Sequence, residues 1–124
     1  MGTAVFQKIG ENIPVDQGIA TGMEHKCNSN FALFASGTYK RFQIVKITKG
    51  VASAYDPEAS FAAGERFAVV KDSFVVEGSE KVKQLVYVTG SFYRDTLEKV
   101  TEKEVSLADE LEMNAEGIYF NMHL

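Results

Sequence analysis

The sequence is poor in the residues that most often carry chemistry. It has one cysteine, Cys27, and two histidines, His25 and His123. A single cysteine cannot close an intramolecular disulfide, so a cross-linked secreted scaffold is not supported and a reducing, intracellular setting is the expectation. No apolar run approaches the roughly 20 residues needed to span a bilayer. The opening MGTAVFQKIGENIPVDQG lacks the basic and apolar stretches of a secretory signal, and Phe6 stands where a myristoylation signal has Ser or Thr. The expectation is a soluble protein with no membrane partner.

Basic charge is also scarce. Thirteen Lys and Arg against seventeen Asp and Glu leave a net charge of -4, the wrong sign for a chain whose main partner is a phosphate backbone, so no nucleic-acid partner is expected. The ten glycines are scattered singly, and no GxGxxG or P-loop cradles a phosphate. Neither a nucleophile elbow nor an HExxH pattern is present. These absences argue against an enzyme and against a cofactor or small-molecule substrate.

Two groups of residues remain as candidates for chemistry. His25 and Cys27 are two soft ligands one residue apart, but a zinc site takes three or four from the protein, and nothing suggests a third group to orient a Cys–His nucleophile. We therefore expect no metal and no catalytic residue here. The second group is acidic: Glu98, Glu102, Glu104, Asp109, Glu110 and Glu112. Interleaved with Lys99 and Lys103, it reads as a solvated face with local ion pairs, each worth only tenths of a kcal/mol, about 0.2–0.5.

What the sequence does contain is a run of short apolar segments broken every eight to twelve residues or so by Gly, Asn or Asp, the pattern of strands joined by turns. Strands are expected at residues 30–35, 42–48, 51–55, 66–71 and 84–89, with a turn at Ser36-Gly37-Thr38 and a stop at Asp56-Pro57. The segment 84–89 is almost continuously apolar, as a strand covered on both faces would be. Residues 74–76 read either as a hairpin arm or as an exposed loop. One helix is expected to start after Ser106, whose hydroxyl can cap the first turn, with Leu107, Leu111 and Ala115 on one face and Gly117 as terminator. Residues 118–122 close the chain as a strand. The fold class is mainly β with an α+β tally: a small single domain with one short helix near its C-terminus.

The order of segments resembles a known family. GVASAYDPEASFAAGERFAVV (50–70), LVYVTGSFYRDTL (85–97) and an acidic helix ending in EGIYF (116–120) follow one another as in the lambda-type head decoration proteins of tailed bacteriophages. The upstream segment around QIVKIT (43–48) also resembles that family, in which glycine is common where Phe42 stands. The similarity spans roughly residues 33–122 and rests on order and spacing rather than on any one motif. It implies a β-tulip or barrel-like domain that forms a homotrimer, binds the major capsid protein at threefold and quasi-threefold positions of the expanded head, and stabilises the capsid non-covalently. The implied location is the outer surface of the virion head, after synthesis in the bacterial cytoplasm.

The first residues have no counterpart in the family. Residues 1–17 are read as an N-terminal arm and 18–124 as the decoration domain, with the turn-rich Pro14-Val15-Asp16-Gln17-Gly18 as hinge. Val5, Gln7 and Ile9 alternate as a strand does, and with Phe6 they are the candidate capsid-binding residues, an arm that adds to a sheet edge by main-chain hydrogen bonding. Two other readings stay open: a small barrel that binds a ligand in its mouth, using groups such as Tyr87, Arg94 and Tyr119, or another phage virion component.

Overall fold

A computed structural model of the chain describes residues 27–59 and 62–121. It contains eight strands and two helices: β1 (Asn28–Phe34), β2 (Gly37–Tyr39), β3 (Ile44–Thr48), β4 (Val51–Ala54), β5 (Glu65–Val70), β6 (Phe74–Val76), β7 (Val82–Tyr93), α1 (Arg94–Thr101), α2 (Leu107–Ala115) and β8 (Ile118–Asn121). Five strands follow the order β1-β4-β3-β5-β7, and β7 pairs back onto β1 from Asn28↔Thr89 to Phe34↔Val82, closing a barrel. β8 extends β7 in parallel beyond the closure, from Gly90↔Ile118 to Tyr93↔Asn121. The expected mainly β, barrel-like single domain is what the structure shows, with one helix more than the sequence suggested.

Strand pairing divides the barrel wall into an inner and an outer face. Ile47↔Ala52, Phe34↔Ala52, Val45↔Ala68 and Val70↔Val86 are register pairs whose side chains point inward. A barrel of so few strands is narrow, and Ala32, Ala52 and Ala68 leave room for Phe34 to fill the axis. The β2–β6 ribbon lies against this inner core. Its Tyr39 and Phe74 rings stack at 5.1 Å, and each meets Phe34 edge-on at 4.7 and 4.8 Å. The inner core is thus filled by packed side chains.

The alternate residues face outward, and part of that face is roofed. Ile44, Phe67, Val69 and Tyr87 lie under Phe92, Leu97, Met113 and Ile118. The doubly covered strand is therefore β5, whose Phe67, Ala68, Val69 and Val70 are all buried, and not the 84–89 segment, where only Val86 and Tyr87 are. The difference arises because β7 forms the seam: its early residues pair with β1, where no helix of the described residues covers them.

Three local departures from expectation have physical causes. Strand β3 begins at Ile44 rather than Phe42 because Phe42 holds φ at +72°, a left-handed conformation that ends extended pairing. The Ser36–Thr38 turn is partly strand, since Gly37–Tyr39 pair with β6. Strand β7 runs to Tyr93, passing through Gly90 at φ +148°. A Cβ there would lie 2.7 Å from Cys27 Sγ and 3.0 Å from the Phe92 ring, so only glycine fits.

Helix α2 starts as expected: Ser106 Oγ accepts from the Asp109 N–H at 3.2 Å, and Gly117 follows the Glu116 cap with φ +98°. Its orientation is the correction. The buried residues are Asp109 and Met113, while Leu107 and Leu111 are 71% and 59% exposed. Helix α1 follows β7 directly, carries no side-chain cap at Tyr93, and buries Leu97.

Candidate functional site

Val5, Phe6, Gln7 and Ile9, the arm 1–17, His25 and His123 lie outside the described residues. Cys27 is the first residue of the described chain, half-buried beside the roofed core, and burial pushes its thiol up from the usual range. Burial disfavours the thiolate form that nucleophilic attack uses. Among the described residues, no group of three or more His, Cys, Asp and Glu is placed to hold a metal ion.

The acidic segment is more than a solvated face, because half of it ties the roof together. Glu98 Oε2 accepts from the Val105 N–H at 2.8 Å and lies 3.5 Å from Arg94, whose guanidinium also pairs with Glu110 and sits 5.0 Å from the centre of the Phe120 ring. Asp109 is 6% exposed and accepts from the Tyr55 hydroxyl at 2.6 Å. That hydroxyl in turn accepts from the Ser106 N–H at 3.3 Å. Burial, and then the carboxylate partner, raise the Tyr55 hydroxyl above its ordinary value. Glu102, Glu104 and Glu112 remain exposed. An open groove of about 440 Å³ separates Pro57–Ala59 from α2, bordered by Glu58, Asp109 and Glu112. Within it Asp109 is committed to Tyr55, while Glu58 and Glu112 are exposed at its edge.

The candidate site is instead an apolar surface. On β1, Phe31 and Leu33 alternate with the inward Ala32 and Phe34 and project from the barrel at 59% and 37% exposure. Their register partners are Leu85 and Lys83 on β7, and Leu33 also sits beside Val51 on β4. The Lys83 ammonium lies 5.4 Å from the centre of the Phe31 ring, close enough for a cation–π contact. Among the described residues no helix crosses this side; α1 packs mainly on β7 and β3, and α2 on β8. Further round the wall, the bare side turns polar. Lys46 pairs with Glu65 at 3.3 Å, and Glu65 also accepts from the Thr48 hydroxyl and the Ala62 N–H at 2.9 and 2.8 Å, which holds its carboxyl below the usual range. A second apolar surface is the outer stripe of α2, Leu107, Leu111 and Ala115.

Sequence reasoning placed Leu107 and Leu111 together correctly but did not single out Phe31 or Leu33. Within 30–35 the two faces are almost equally apolar, so periodicity alone does not say which one is inside. No family model, curated protein or solved structure matches the chain.

Proposed function

We propose that this chain is a non-enzymatic capsid decoration protein: a structural component that assembles as a homotrimer on the outside of an expanded phage head and stabilises it. The observation that carries the reading is the exposed strip of Phe31 and Leu33 on the part of the barrel wall that no described helix roofs. Contiguous exposed apolar side chains are a mark of surfaces completed by another protein. A protein whose task is cohesion needs such surfaces and little else.

Backbone geometry supports the family resemblance independently of side-chain similarity. Phe42 stands where the family commonly has glycine, and it holds φ +72°, the region glycine favours. Gly90, in the LVYVTGSFYRDTL segment that resembles the family, occupies a site that admits no Cβ. The order of motifs thus coincides with places where the fold restricts residue choice. Attachment to the capsid is assigned to the arm, through Val5, Phe6, Gln7 and Ile9.

The test is binding to expanded heads of the phage whose genome carries the gene, after removal of the native decoration layer. Saturable binding at threefold positions and a raised head-disruption temperature are expected. Equal binding to unexpanded shells, or none, contradicts the proposal. A gene position beside the major capsid gene gives an independent check.

A further inference from the structure

We infer that the chain joins copies of itself head to tail, the outer stripe of α2 on one copy seating on the β1 strip of the next. This deepens the proposed self-assembly and rests on it, naming the surfaces that meet. The spacing of the two surfaces agrees. Leu107 and Leu111 are four helical residues apart, a rise of about 6 Å, while Phe31 and Leu33 are two strand residues apart, about 6.7 Å. Two leucines can therefore lie against the phenylalanine and leucine of the strip in one register.

Charge selects the pairing. Strands β1 and β7 together carry one charged side chain, Lys83, and Lys49 stands exposed in the turn that leads into β4 beside Leu33. Residues 104–116 contain five carboxylates and no Lys or Arg, and Glu104 and Glu112 are exposed beside the leucines. A twofold contact of helix on helix would bring two purely acidic surfaces together; helix on strip sets Glu112 towards Lys83. The two surfaces also lie on different sides of the barrel, since α2 belongs to the roof and β1 to the bare wall. One chain can then offer both at once, and a heterologous contact of this kind closes into a ring when its rotation permits.

The experiment uses two full-length variants, Phe31→Thr with Leu33→Thr, and Leu107→Gln with Leu111→Gln, chosen at exposed positions so that both fold. Molar mass is read by light scattering after gel filtration. Wild type is expected as a closed ring, three copies under the proposed function, and each variant alone as monomer. An equimolar mixture of the two retains one intact contact per pair and is expected to give a heterodimer. Lys83→Glu is expected to dissociate the ring and added Glu112→Lys to restore it. The inference is overturned if either variant assembles as wild type does, if the mixture stays monomeric, or if the charge exchange fails to restore. It is also overturned if wild type is monomeric and the strip variant changes only its melting temperature, for then the chain's own N-terminal residues cover the strip. None of these results bears on head binding, so a failed ring and a failed decoration role are told apart.

Discussion

The two halves of the barrel's outer face are built from the same strands yet meet different neighbours. On one half, Ile44, Phe67, Val69 and Tyr87 disappear beneath two helices and β8; on the other, Phe31 and Leu33 project with no covering element among the described residues. The roofed half is also held by polar tethers: Phe67 N–H donates to Glu116 Oε1 at 2.8 Å, Ile44 N–H to Thr101 Oγ1 at 2.9 Å, and Tyr55 to Asp109. Burial there serves the fold. Apolar side chains left bare on the same wall contribute little to folding, and their placement makes sense as a surface kept for association.

That contrast can be tested most strongly within a single strand. Phe34 is fully buried in the inner core and Phe31, three residues earlier, points outward. Phe34→Ala should cost about 3–5 kcal/mol through lost transfer energy and a cavity, whereas Phe31→Ala should stay within about 0.5 kcal/mol, as surface substitutions usually do. Urea denaturation of the two variants checks this. Comparable losses at both sites would mean that Phe31 is part of the fold.

The roof should fail at its buried polar contact. Asp109→Ala leaves the Tyr55 hydroxyl without its acceptor, and Tyr55→Phe leaves a buried carboxylate without its donor. Each should cost about 1–3 kcal/mol, and the double variant should cost less than the sum, because the pair acts as a unit. Strict additivity in the double-mutant cycle would show that the contact contributes nothing specific.

The smallest expected effect compares one glutamate from each half. Glu65 has its carboxyl lowered, first by the Ala62 N–H and then by Thr48 and Lys46, so it adds stability above the ordinary glutamate range that is lost as pH falls through its lower folded value. Glu116 is raised, chiefly by burial, so the folded state holds its proton longer and stability declines as pH rises through the window above the ordinary range. Glu65→Gln should therefore lower the melting temperature at neutral pH. Glu116→Gln, which keeps an oxygen to accept from Phe67, should preserve or raise it. Melting curves from acid to neutral pH would show the opposite signs, and like signs would remove the distinction.

Much of this architecture is legible in the sequence because turns and capping residues are local. Ser106 and Gly117 bracket α2 through their own hydroxyl and backbone freedom, and Asp56-Pro57 closes the β4 segment. Helix α1 was not legible: RDTLEKVT follows a strand without a capping side chain and buries Leu97 alone, so its helicity depends on tertiary packing. The face of α2 was illegible for a related reason. Its most apolar stripe is Leu107, Leu111 and Ala115, but the fold buries Asp109, whose partner Tyr55 lies 54 positions away in the sequence. Pattern identifies an amphipathic surface, and only the rest of the fold decides whether the domain or a partner covers it.

The central claim, that the bare side of the barrel is covered by protein in the assembled state, can be measured at Leu33. In a Cys27→Ser background, Leu33→Cys places a thiol on the strip, and its alkylation rate is compared between the assembled chain and the same chain carrying Leu107→Gln and Leu111→Gln, which is expected as monomer. The account predicts fast labelling of the monomer and strong protection in the assembly. An equal rate in both states would contradict it.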